Sequence, residues 1–343
     1  QAEDGIRDLV RSRGLGDVYK RQLKKPIKQI ILIGHAGRPN GKIIKNLSLQ
    51  PVAKYLTATL KQKLSFVEID RYVSKNIKKL IELSGSKIVV LENLRFSDRE
   101  QKNCKRFAKN LAKLGDIYVN EAFAVSHRSV SSVDAIQNYL PSYAGLHLEK
   151  EIKNLTLKKT KPLTIIIGGA KVATKLPVIQ NFIKKADYIL IGGGVANTFL
   201  KAQSVNIKKS LVDNAYLLSA KKLLQNKKII LPLDYAWSQN KILDIGPQAI
   251  SEFCNIIKKS KMIVWNGPLG YIENKKFAHG TQKILQTILQ NKSAQIIIGG
   301  GDTNLLLKNK KPQKNIFIST GGGAMLDFLA GKKMPGLKKI IKY

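Results

Sequence analysis

Lysines, an aspartate and glycines recur at the ends of apolar runs in the second half of this sequence. The strings are Ile165-Ile166-Ile167-Gly168-Gly169-Ala170-Lys171, Leu190-Ile191-Gly192-Gly193-Gly194, Ile296-Ile297-Ile298-Gly299-Gly300-Gly301-Asp302-Thr303 and Ile318-Ser319-Thr320-Gly321-Gly322-Gly323-Ala324. Glycine lets backbone approach a ligand closely, so such turns can aim N–H groups and the next helix's N-terminus at an anion. A tight strand-to-helix connection also needs small residues for packing alone, and one turn would not separate the two readings. Four in one half favour a phosphate-rich ligand. The first half holds a different chemistry. Beyond residue 22 the only arginines are Arg38, Arg71, Arg95, Arg99, Arg106 and Arg128, in a chain that otherwise uses lysine. Gly37-Arg38-Pro39, Leu94-Arg95-Phe96 and His127-Arg128 thus offer planar forks for a carboxylate or phosphate, which lysine does not replace.

The elements that must position these groups alternate along the chain. Residues 1–22 show no sustained apolar periodicity; they read as a non-native, adaptor-like tail and are set aside. Strand-like Gln29–Ile33, helix-like Leu49–Leu64, strand-like Lys87–Leu91, helix-like Glu100–Leu114 and strand-like Ile117–Val119 follow. A polar helical stretch, Leu148–Lys161, is the candidate interdomain connection. Six further strand-like runs lie beyond it, at Leu163–Ile167, Tyr188–Ile191, Lys228–Leu231, Met262–Trp265, Gln295–Ile298 and Ile316–Ser319. The pattern predicts an α/β protein with two doubly wound, parallel-sheet, Rossmann-like domains, its ligand crevice at the carboxyl ends of the strands. The division expected is 23–148 for the first domain and 149–343 for the second, with a C-terminal hinge segment.

Composition bounds the function. The 343 residues are 43% hydrophobic, enough for two cores, and no apolar run approaches the length of a membrane span. Cys104 and Cys254 are the only cysteines, which indicates neither a disulfide framework nor a cysteine metal site. A reducing cytoplasm fits. Sixty Lys plus Arg against 23 Asp plus Glu give a net charge of +37. Nucleic-acid binding is therefore a rival class, but the lysines are spread over most helix surfaces, without the stripe and interleaved aromatics such binding uses. A dinucleotide oxidoreductase is a second rival; Gly192-Gly193-Gly194-Val195-Ala196-Asn197 lacks the sixth-position glycine it needs, and no G-x-x-x-x-G-K-[ST] occurs.

Seven strings together resemble phosphoglycerate kinase: Gly34-His35-Ala36-Gly37-Arg38-Pro39, Leu91-Glu92-Asn93-Leu94-Arg95-Phe96, Val119-Asn120-Glu121-Ala122-Phe123 leading to His127-Arg128, Gly168-Gly169-Ala170-Lys171-Val172, Val264-Trp265-Asn266-Gly267-Pro268, Gly299–Thr303 and Ser319–Ala324. They stand in the family's order from about Lys28 to Gly336. The resemblance implies a cytoplasmic, monomeric glycolytic enzyme that passes a phosphoryl group between 1,3-bisphosphoglycerate and ADP, giving 3-phosphoglycerate and Mg-ATP. It implies that His35, Arg38, Arg95 and Arg128 bind the phosphoglycerate, with His127 in support. Lys171, Gly322 and Gly323 would be catalytic, Lys171 at the transferring phosphate. Lys175, Gly169, Gly193, Asn266, Glu273, Gly301, Asp302 and Thr303 would bind nucleotide, Glu273 at the ribose and Asp302 as the carboxylate facing Mg²⁺. Taken singly, His35 also fits a polar strand end, Arg95 and Arg128 fit salt bridges, and Asp302 fits a helix cap.

The resemblance further implies hinge closure about Leu148–Lys161 and Met334–Leu337, excluding water from the acyl phosphate. Two departures stand out. The family's first strand, with its Asp-Phe-Asn string, and a further arginine belong before Gly34, where few native-looking residues are found, so an N-terminally truncated first domain and impaired activity are expected. Thr174 and Ala36 replace residue types usual in the family.

Overall fold

The apolar tetrapeptide Ile88–Leu91 has no polar position to turn toward water, and in the computed structural model of the chain it is the buried central strand of a sheet. The structure describes residues 27–68, 81, 84–157, 160–307 and 313–341. The segment 1–22 and, within Leu148–Lys161, residues 158 and 159 lie outside them. Two compact units are present: Gln1–Ile152 with Lys333–Tyr343, and Lys153–Lys332. Residues 333–343 thus group with the first unit, not with the second half where the sequence reading puts them.

In the first unit, β1 (Ile30–Leu32), β2 (Leu64–Val67) and β3 (Ile88–Leu91) form a parallel sheet in the order β1-β3-β2. Period-two alternation splits β3 between two cores. Ile88 and Val90 meet Ala53, Leu56 and Leu60 of helix Gln50–Leu60, while Val89 and Leu91 meet Phe107, Ala108 and Leu111 of helix Lys105–Ala112. The helix expected over Leu49–Leu64 ends at Leu60, because Lys61 turns left-handed at φ 53°. Leu64 then belongs to β2. The helix expected over Glu100–Leu114 is likewise two, Asp98–Gln101 and Lys105–Ala112. Asn103 breaks it with φ 50°, donating to Asp134 at 2.8 Å and accepting from the Ala135 N–H at 3.2 Å. A second parallel pair, β4 (Tyr118–Asn120) and β5 (Ser142–Ala144), precedes helix Leu146–Leu155, whose first N–H groups bind the Glu121 carboxylate.

The second unit is built on a six-stranded parallel sheet: β6 (Leu163–Ile167), β7 (Tyr188–Ile191), β8 (Ile229–Ile230), β11 (Met262–Asn266), β12 (Gln295–Gly299) and β13 (Ile316–Ser319). Its order is β13-β12-β11-β6-β7-β8. Chain progress from β6 runs outward to β8, then from β11 outward to β13, so the topological switch lies between β6 and β11. Trp265, Ile263, Ile296 and Ile298 pack there against Phe253 and Ile257 of helix Pro247–Lys259 and Ile284 and Ile288 of helix His279–Gln290. An antiparallel hairpin, β9 (Tyr235–Ser238) and β10 (Lys241–Ile245), turns through Gln239 and Asn240 at φ 46° and 61°. The sequence reading contains no such pair. Among the described residues no helix is long and apolar enough to cross a membrane.

Candidate functional site

The first cluster grows from the carboxyl ends of β1 and β3. β1 runs out into the Gly34–Arg38 turn and β3 into Glu92-Asn93-Leu94-Arg95. Asn93 ties the two together: its Nδ2 donates to the carbonyls of Ala36 and Leu47, both at 2.8 Å, and its Oδ1 accepts from the Arg95 N–H at 3.1 Å. Glu92 accepts from Ser48 Oγ at 2.6 Å and from the Leu49 N–H at 2.8 Å, fixing the entry to helix Gln50–Leu60. Neither residue was singled out by sequence reasoning, because a buried polar side chain is recognisable only once its partners are known.

Arg95 is 8% exposed. One prong donates through Nη1 to the Gly37 carbonyl at 2.7 Å, the turn that presents Arg38. Arg38, Arg95 and Arg128 then line one cavity of about 290 Å³, with Pro39, Asn40 and Gln101 completing the wall. Among the described residues no carboxylate forms an ion pair with any of the three. Burial and the guanidinium groups of Arg128 and Arg38 lower the pKa of Arg95, with Glu100 acting in the opposite sense. His35 joins the cluster electrostatically: burial, then Arg95 and Arg128, lower its pKa to about 4. Arg128 Nε lies 3.4 Å from His127 Nε2. Convergent cations with no ion-paired carboxylate form a receptor for an anion.

The second cluster sits at the switch point. Here the glycine turns divide into two kinds. Those after β6 and β7 pack backbone on backbone: Gly168 N–H donates to the Asn266 carbonyl at 2.9 Å, Gly169 N–H to Pro268 at 2.7 Å and Gly193 N–H to Leu269 at 2.9 Å. A Cβ on Gly168 would lie 2.1 Å from the Pro268 oxygen. The amides of Gly169 and Gly193, read above as facing a ligand, are therefore engaged within the fold, and close packing explains these two positions. Thr303 is also structural; it is fully buried and its Oγ1 accepts from Gly267 N–H at 2.9 Å.

The turns after β12 and β13 differ. A Cβ at Gly301 would meet nothing within 4 Å, while Gly322 rests on Gly300 and Gly323 is exposed. Helix Gly322–Leu329 has no side-chain cap, leaving its first amides for an anion. Asn266, 3% exposed at the end of β11, is the hub. Its Nδ2 donates to the Gly299 carbonyl at 2.8 Å and the Gly322 carbonyl at 3.3 Å, and its Oδ1 accepts from Lys175 Nζ. Burial lowers the Lys175 pKa to about 8, opposed by the Asp302 carboxylate, which places Lys175 and Asp302 in one electrostatic neighbourhood. Lys171 is exposed at the N-cap of helix Val172–Phe182, the helix that carries Lys175. Glu273 is exposed on the loop after β11 and bonds to none of the other candidates. Leu211, 58% exposed and 3.1 Å from where a Gly194 Cβ would stand, adds an apolar surface that sequence reasoning missed.

The phosphoglycerate kinase family profile matches residues 2–332, a range that begins within the segment set aside at the N-terminus. The phosphoglycerate kinase of Coprothermobacter proteolyticus is 39% identical over 340 residues, covering 91% of this chain and 86% of the relative. That of Wolbachia pipientis wMel is 38% identical, with 99% and 93% covered. The solved phosphoglycerate kinase of Coxiella burnetii superposes with a TM-score of 0.78 at 32% identity, over 96% of this chain and 90% of that one. The chain belongs to the phosphoglycerate kinase family.

Proposed function

We propose that this chain transfers the acyl phosphate of 1,3-bisphosphoglycerate to Mg-ADP, yielding 3-phosphoglycerate and Mg-ATP. The observation that carries the reading is the set of three guanidinium groups around one cavity, none in an ion pair with a carboxylate among the described residues. A small ligand bearing a carboxylate and a phosphate supplies the missing charge at two ends, and forks fix its orientation as well as its position. His35, neutral at pH 7, offers a hydrogen bond at the same cluster.

On the second unit the nucleotide's phosphates are assigned to the open amides of Gly301, Gly322 and Gly323 with Lys171 and Lys175, and its base to the apolar face of Leu211 beside Gly194. Phosphoryl transfer gives a protein little covalent work, so positioning and charge neutralisation on the equatorial oxygens supply the rate. Lys171, exposed at the N-cap of its helix, is assigned to the transferring phosphoryl group. Magnesium is read as part of the nucleotide substrate: the described residues hold no group of three potential metal ligands, and Asp302 is one exposed carboxylate. That donor set suits an ion carried mainly by phosphate oxygens and water.

The division of labour between a substrate domain and a nucleotide domain belongs to the same proposal, with helix Leu146–Leu155 carrying the chain from one unit to the next and the approach of the ligands assigned to motion about Leu148–Lys161 and Met334–Leu337. The protein acts as a cytoplasmic monomer, and the lysine excess is read as surface composition rather than a nucleic-acid site. Coupled measurement of ATP formation from 1,3-bisphosphoglycerate and ADP tests the reading. Absence of both turnover and calorimetric binding of 3-phosphoglycerate would refute it.

A further inference from the structure

Glu100 is a buried carboxylate that neither ligand cluster uses. It is 2% exposed, a placement that is unfavourable unless its oxygens are bonded. Both are bonded by one residue: Ser132 donates its hydroxyl to Oε1 at 2.6 Å and its N–H to Oε2 at 3.0 Å. Ser131 extends the seam, its N–H donating to the Glu100 carbonyl at 3.0 Å and its hydroxyl to the Arg99 carbonyl at 2.9 Å. Glu100 stands shortly after Arg95 in the chain, and Ser132 shortly after Arg128. The two segments that deliver forks to the cavity are therefore joined at this carboxylate.

Charge adds a second relation. Among the described residues that act on Arg95, Arg128 and Arg38 repel its positive charge and Glu100 attracts it. No ion pair forms between Glu100 and Arg95, so the attraction steadies the guanidinium without occupying its fork. We infer that Glu100 is a positioning residue for the substrate anion, setting the spacing of the Arg95 and Arg128 forks through Ser132. An apolar side chain would fill the same space and leave that spacing to loop packing. The inference rests on the reading of the cavity as the phosphoglycerate site.

Steady-state kinetics of the full chain in the direction of 3-phosphoglycerate phosphorylation tests it, using E100A, E100Q and S132A with thermal melts of each. Loss of the charged seam in E100A is expected to raise KM for 3-phosphoglycerate about tenfold while KM for ATP stays within about twofold. S132A, which removes one hydroxyl, should move the same parameter about threefold, and E100Q, which keeps the shape without the charge, should fall between them. An unchanged KM for 3-phosphoglycerate in E100A, or an equal rise for both substrates, overturns the inference. Should E100A fail to fold, S132A decides, and a wild-type KM there is equally fatal. A wild-type chain that binds 3-phosphoglycerate without turnover would count against the proposed reaction instead, and calorimetric affinities of the same variants then settle the role of Glu100.

Discussion

His35 lies where burial and two guanidinium groups act together, and its protonation is the most direct report on that cluster. Burial, then Arg95 and Arg128, bring its pKa from 6.5 to about 4. The folded protein therefore refuses a proton that the unfolded chain accepts between these two pH values. Stability from this residue is fully present above pH 6.5 and is lost as pH falls toward 4, the direction required when the unfolded state binds more protons. The difference corresponds to about 3 kcal/mol. Denaturant titrations at pH 7 and pH 4.5 should show wild type losing about 2–3 kcal/mol more than H35Q over that interval.

Ligand binding reverses part of the effect. An anion seated among Arg38, Arg95 and Arg128 offsets the positive field on His35, so its pKa rises when 3-phosphoglycerate binds. The chain has four histidines, and H35Q identifies the relevant resonance by its disappearance. In the free protein that imidazole should stay neutral from pH 8 to about 5; with 3-phosphoglycerate its midpoint should move upward, and calorimetry near pH 5 should record proton uptake. A free-protein midpoint near 6.5 that 3-phosphoglycerate leaves in place would refute both the geometry of the cluster and its assignment to the substrate.

Other predictions follow from single contacts. R95K removes the 2.7 Å bond to the Gly37 carbonyl and the planar fork, and should raise KM for 3-phosphoglycerate about thirtyfold or more with little change for ATP. G168A forces a Cβ to 2.1 Å from the Pro268 oxygen and should lower the melting temperature by ten degrees or more, whereas G301A meets no atom within 4 Å and should melt like wild type while binding ADP more weakly. K171M should reduce kcat on the order of a hundredfold with 3-phosphoglycerate affinity intact, as measured by turnover and calorimetry on the same sample.

The two kinds of glycine turn show what the sequence could and could not disclose. All four strings are visible as strand ends, since Ile165–Ile167 or Ile296–Ile298 must be buried and the glycines must follow a turn. Whether an amide then faces a ligand or a neighbouring loop depends on which carbonyl stands opposite. For Gly169 that carbonyl belongs to Pro268, roughly a hundred residues away, and no local pattern encodes it. The arginines were legible for the opposite reason: their rarity in a lysine-rich chain marks a requirement for geometry rather than charge. Asn93 and Glu100 stayed hidden, because a polar residue in a loop or at a helix start reads as solvent-facing until its partner, 46 and 32 residues away respectively, is placed. The hairpin of β9 and β10 was missed for want of a glycine, Gln239 and Asn240 taking the left-handed positions instead. Local chemistry thus announces what a site must bind, while the polar residues that hold its cations apart are set by long-range pairing. Substitutions at Glu100 and Ser132 are accordingly where the family motifs alone forecast no effect on substrate affinity and the three-dimensional arrangement forecasts one.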